Sequence, residues 1–137
     1  MVKPIVTICA ATLIFSASAA TLLTRDEAAR DRAIQWLQLI DAGRYDEAAS
    51  EASLEARALE QWMNHFKMQR APLGRVNKRE FVDARHTSVF PGVPDVRQYH
   101  VLRFKTSFEH KPTAIEQVTI SKMGCCWEVY EYKISDK

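Results

Sequence analysis

The apolar residues keep helical spacing as far as Gly74 and strand spacing beyond it. A helix face repeats every three to four residues and a strand face every two, so the two halves cannot form one kind of element. Ala29, Ala33, Trp36, Leu37 and Ile40 fall on one helical stripe. Thr24, with Glu27 three residues on, is a capping box that predicts a helix start. Gly43, after Asp41-Ala42, supplies the left-handed stop. Residues 45–52 read as a short second helix. Ser53 is placed to cap a third, in which Leu59, Trp62 and Phe66 share a face until Pro72 and Gly74 end it.

Residues 74–87 read as a strand of mixed polarity, and residues 88–94 as a turn-rich loop because Pro91 and Pro94 flank Gly92. Leu102, Phe104, Thr106 and Phe108 alternate with Val101, Arg103, Lys105 and Ser107, which predicts a strand whose even positions are buried. Residues 109–113 connect it to a strand over 115–121, Lys122-Met123-Gly124 turns the chain, and residues 126–134 form the last strand. Helices first and an antiparallel meander afterwards predict an α+β fold, with the helices on one face of a curved four-stranded antiparallel sheet.

The start of the chain carries a different signal. Lys3 precedes an apolar block over residues 5–15, and Ser16-Ala17-Ser18-Ala19 ends it in small residues, the three-part layout of a secretory signal peptide. Cleavage is expected after Ala19 or Ala20. The apolar block is shorter than the ~20 residues of a spanning helix and no basic cluster follows, so no membrane span is expected after cleavage. Cys9 lies inside the block rather than after a small-residue lipobox, which argues against a lipoprotein. The expected products are a signal peptide over 1–19 and a single domain over 20–137, periplasmic or secreted.

The formal charge of +2 hides an asymmetry. Residues 20–64 hold nine Asp/Glu against five Lys/Arg, while residues 65–111 hold ten Lys/Arg against four Asp/Glu and all four histidines. Either the solvated helix faces are acidic and the strand faces basic, or a basic sheet face recruits an anionic ligand or an acidic partner. Nucleic acid is not expected, because the export signal sets the compartment and aromatic residues do not interleave with the basic ones. Cys125 and Cys126 are adjacent, and a trans peptide holds their Cα atoms ~3.8 Å apart, too close for a relaxed disulfide. Free thiols are expected, one buried and one exposed, since neighbours in a strand point to opposite faces.

No nucleophile elbow, phosphate loop or zinc-binding spacing is present, so no metal and no cofactor is expected. Strand parity offers Glu116, which shares its face with Val118 and Ile120, and His100, which shares its face with Leu102 and Phe104. A hairpin across residues 107–114 would set Thr106 opposite Glu116. A buried Glu needs a partner, and Thr106, Arg70, Arg75 or Arg79 could supply it. Glu116 or His100 then serves as a general base in a pocket, or Glu116 pairs with an Arg and His100 is half-exposed near the strand end.

Several spaced residues also resemble a known family. Leu39-Ile40-Asp41-Ala42-Gly43-Arg44-Tyr45, Trp62, Arg70-Ala71-Pro72-Leu73-Gly74 with Arg79, Pro91-Gly92-Val93-Pro94-Asp95, Tyr99, Phe104-Lys105-Thr106-Ser107-Phe108, Glu116 and Trp127-Glu128-Val129 with Tyr132 are similar to the exported bacterial family catalogued as domain of unknown function 4019. The resemblance runs over residues 25–134 and implies a small NTF2-like or cystatin-like α+β cone, with no established activity. The expectation is a non-catalytic domain that binds a small ligand or an envelope protein, with Arg79, His100, Thr106 and Glu116 as candidate ligand-binding residues. The alternative is a small-pocket NTF2-like enzyme, isomerase or hydrolase, using Glu116 or His100. A homodimer through the sheet is a further option.

Overall fold

The computed structural model describes residues 17–53, 59–91 and 97–137, with side chains from Arg25 onward and, in the third helix, from Asn64. Three helices, α1 (Ala17–Asp41), α2 (Tyr45–Ser50) and α3 (Leu59–Arg70), precede strands β1 (Val76–Thr87), β2 (Tyr99–Phe108), β3 (Lys111–Met123) and β4 (Cys126–Ser135). The strands form one antiparallel sheet in the order β1-β2-β3-β4. This is the expected α+β arrangement. The sequence signals at residues 1–16 and 92–96, and the side chains of Leu59 and Trp62, lie outside what is described.

The α1 stripe is buried throughout, and it packs with Leu102, Phe104, Val118 and Ile120 of the sheet's inner face. Trp36 of α1, Phe66 of α3 and Tyr132 of β4 meet edge to face with ring centroids 5.3–5.7 Å apart. The Trp36 indole donates to the Ala48 carbonyl at 2.9 Å, which ties α2 to α1. α1 ends in a Schellman motif. Gly43 has φ 72, its N–H donates to the Ile40 carbonyl, and the Arg44 N–H donates to the Leu39 carbonyl.

α1 does not begin at Thr24. The helix runs through it from Ala17, because Ala-Ser-Ala-Ala-Thr-Leu-Leu contains no breaker and Ala and Leu are strong helix formers. Ser53 donates its N–H to the Val129 carbonyl of β4, and the third helix is described only from Leu59. That contact, with the Ala52–Val129 bridge, covers part of the β4 edge. β1 protects the opposite edge with register shifts at 76/78 and 81/83 and with charged side chains.

The turns are tighter than the sequence suggested. β3 begins at Lys111 rather than near 115, and Gly124-Cys125 forms the β3–β4 turn. Both cysteines are free and both are exposed, so the expectation of one buried thiol fails. The hairpin carries them beyond the core, where neither face of the strand is covered.

Candidate functional site

The sheet brings Arg79, Thr106 and Glu116 together near the C-terminal end of α1. Glu116 is fully buried. Its partner across the ladder is Phe104, not Thr106, which pairs with Ala114; the expected register was two residues off. The Thr106 hydroxyl still reaches diagonally and donates to Glu116 Oε1 at 2.5 Å. Arg79 Nε donates to Oε1 at 2.9 Å and Nη2 to Oε2 at 3.1 Å. The Tyr132 hydroxyl donates to Oε2 at 2.6 Å. Among the three arginines considered, Arg79 pairs with Glu116, Arg70 with Asp41 and Arg75 with Glu109.

Asp41 extends the network. It accepts from Arg79 Nη1 at 2.7 Å and Nη2 at 3.0 Å, and from Arg70 Nη2 at 3.2 Å. Arg70 Nη1 donates to the Gly74 carbonyl at 2.6 Å, and its guanidinium lies 4.6 Å from the Phe108 ring centroid. Burial would lower the Arg79 pKa, but its hydrogen bonds and charge contacts with Asp41 and Glu116 outweigh that and raise it. Burial first, then the Glu116 charge and hydrogen bond, push the Tyr132 phenol well above its ordinary value. A general base needs a lone pair aimed at its substrate. The four donors on the two Glu116 oxygens satisfy both.

His100 belongs to a different place, against the N-terminal half of α1 at Asp26. It is 3 % exposed rather than half-exposed, because β2 continues past it to Tyr99 and α1 covers it. It pairs across the sheet with His86 of β1, ring centroids 4.9 Å apart. His86 Nε2 lies 2.7 Å and His100 Nδ1 3.4 Å from Asp26 Oδ1. His100 Nδ1 is buried and makes no hydrogen bond. Burial and the neighbouring His86 lower the His100 pKa, while Asp26 opposes the shift.

Beside His100 opens a cleft of about 480 Å³, lined by Arg25 and Ala28 of α1, Gln98 and His100, and Lys122 and Trp127 of the last hairpin. Lys122 Nζ lies 6.0 Å from the Trp127 ring centroid, and the Trp127 ring meets the His100 ring at 5.4 Å. Two cations, two hydrogen-bonding side chains and an indole therefore face one space. Among the described residues no helix is long and apolar enough to cross a membrane.

Of the four residues singled out by sequence, three converge and His100 stands apart. Asp41, Tyr132, Asp26 and His86 were not singled out. Tyr132 shares the Glu116 face only because β4 carries a register shift between Thr119 and Ile120, which sequence alternation does not show. Asp26 and His86 are sixty residues apart in sequence, so no local spacing announces them.

No curated protein and no solved structure matches the chain. The family model described as Protein of unknown function (DUF4019) matches residues 32–132, a span that holds Asp41, Arg70, Arg79, His86, His100, Thr106, Glu116 and Tyr132 and leaves Asp26 outside. The matched span covers most of the chain, and the chain belongs to that family.

Proposed function

We propose that the chain is an exported, periplasmic or secreted binding domain without catalytic activity, whose ligand is a small anion with an apolar part. The observation that carries this reading is the cleft that sets Arg25 and Lys122 beside Trp127. A space of about 480 Å³ falls within the range of small-molecule sites, and mixed polar and aromatic walls are their usual composition. The indole offers an apolar platform, Gln98 and His100 offer hydrogen bonds, and the cations attract the charge. Arg79, Thr106 and Glu116 act in this reading as the scaffold that holds α1 to the sheet. An enzyme with Glu116 as base would first have to free one of its oxygens from four donors.

Titration of the full chain with benzoate, and separately with inorganic phosphate, tests the reading through tryptophan fluorescence. Benzoate is expected to give a saturable change. Arg25→Ala with Lys122→Ala is expected to weaken it roughly 10- to 100-fold, the equivalent of one or two charge-assisted hydrogen bonds. An equal response in the double variant, or none in the parent, overturns the cleft assignment. Export is tested separately by N-terminal sequencing of the protein recovered from the cell envelope. A start at Ala20 or Thr21 is expected, and an intact Met1 excludes cleavage.

A further inference from the structure

The group formed by Asp26, His86 and His100 is a built arrangement of ligand atoms. It joins three elements: Asp26 from α1, His86 from β1 and His100 from β2. One carboxylate oxygen, one ring nitrogen of each histidine and no other donor are needed to describe it, and these atoms all lie within 4.8 Å of one another. Two of the separations, 2.7 Å and 3.4 Å to Asp26 Oδ1, bracket the roughly 3.3 Å between ligand atoms around a tetrahedral zinc with bonds near 2.0–2.1 Å.

A hydrogen bond between Asp26 and His86 would account for two of the three residues. It does not account for His100, whose ring is almost wholly buried and whose Nδ1 faces the same carboxylate oxygen without a hydrogen bond. Buried nitrogens are nearly always satisfied, so an unpartnered one beside a carboxylate and a second imidazole points to a ligand. A cation placed there would accept lone pairs from two imidazoles and a carboxylate together. We propose that Asp26, His86 and His100 form a binding site for a divalent transition-metal ion of the zinc type.

Two imidazoles and one carboxylate suit zinc and its first-row neighbours far better than magnesium or calcium, which prefer oxygen ligands throughout. Three protein ligands leave a coordination position open to water or to an exogenous ligand. The edge-on contact of Trp127 with His100 restrains the orientation of that imidazole. Arg25 is adjacent in sequence to Asp26 and opposes a cation, but it is exposed, and solvent screens its charge. The site does not depend on the anion reading of the neighbouring cleft, although a bound dication would add to the positive charge there.

The test uses zinc alone on the full chain carrying Cys9→Ser, Cys125→Ser and Cys126→Ser, because free thiols would otherwise bind it. Calorimetric titration is expected to show one equivalent bound, and cobalt is expected to give visible d–d absorption without a thiolate charge-transfer band. His86→Ala and Asp26→Asn, both at side chains about one-third exposed, are expected to fold and to weaken binding about 100-fold or more, since loss of outer-shell partners alone costs 10- to 100-fold. Circular dichroism confirms the folding of each variant. Absence of saturable zinc binding in the cysteine-free chain, or equal affinity in both variants, overturns the site. Zinc binding with no benzoate response would leave the metal site standing and remove the cleft reading; the reverse would do the opposite.

Discussion

Glu116 is a carboxylate that the fold has surrounded with donors. Replacing it with Gln keeps the shape but removes the charge and turns an amide N–H₂ toward Arg79 or Tyr132. Breaking one side of a buried pair costs about 3 kcal/mol, and Asp41 retains part of the Arg79 interaction. Glu116→Gln is therefore expected to lower the urea midpoint by that equivalent while leaving the benzoate response of the folded chain unchanged. A variant of parental stability would show that the network contributes little.

Tyr132 gives the same network a pH signature. An unfolded tyrosine ionises near pH 10, whereas the folded Tyr132 phenol holds its proton to a higher value. Above pH 10 the unfolded state has lost a proton that the folded state keeps, so stability falls as pH rises toward the folded value. Below pH 10 the contribution is fully present. Thermal melts between pH 8 and 11 are expected to show this loss, and Tyr132→Phe is expected to reduce its slope. At neutral pH the same variant leaves a Glu116 lone pair unpaired, at about 1–3 kcal/mol.

Among the elements, the link between the 3-10 turn Ala71–Leu73 and β1 has the least tolerance. Gly74 has φ 74 and ψ −153, and a Cβ there would lie 3.0 Å from both Glu109 Cβ and His110 Cδ2. His110 and Glu109 donate their N–H groups to the Leu73 and Arg75 carbonyls on either side, so the glycine is held against the β2–β3 turn. Gly74→Ala is expected to cost about 2 kcal/mol, read as a lower melting temperature. The helix-to-strand change at this glycine and the alternation of β2 were legible because each repeats over many residues. The start of α1, the register of Thr106 and the fate of the cysteines were not. A helix can run on through a capping box when nothing breaks it, and a register is fixed by hairpin turns only one residue longer or shorter. The His86–His100 pair follows from the β1–β2 register and would have required that register to be known.

Over the whole molecule, the acidic and basic halves of the sequence are joined to each other. Asp41 of α1 binds Arg79 of β1 and Arg70 of α3, while Glu51 binds Arg32 within the acidic half. Arg103 pairs with Asp83 within the basic half, across the first two strands. Asp41 thus ties the two halves together, while the cleft's cations, Arg25 and Lys122, come from outside the basic segment. These pairs are partly exposed, so salt screens them. Raising sodium chloride from 0.01 M to 1 M is expected to remove about 1 kcal/mol, or roughly 4 °C in melting temperature by calorimetry. An unchanged melting temperature would mean the pairs are energetically silent.

α1 meets β1 through two carboxylates, Asp26 nine residues into the helix and Asp41 at its end, fifteen residues or about 22 Å apart along it. Their partners, His86 and Arg79, are spaced by nearly the same length on β1, with the order reversed. The helix is held to the sheet by these two charged contacts and by the buried stripe between them. A slide by one turn would break both charged contacts at once, so the shear motion common between packed elements is closed to it. A hinge about the Asp41 end would break the Asp26 contacts while keeping those of Asp41. Lifting α1 at Asp26 would part the helix side of the cleft, Arg25 and Ala28, from the hairpin side, Lys122 and Trp127, and a metal ion across Asp26, His86 and His100 would hold it closed.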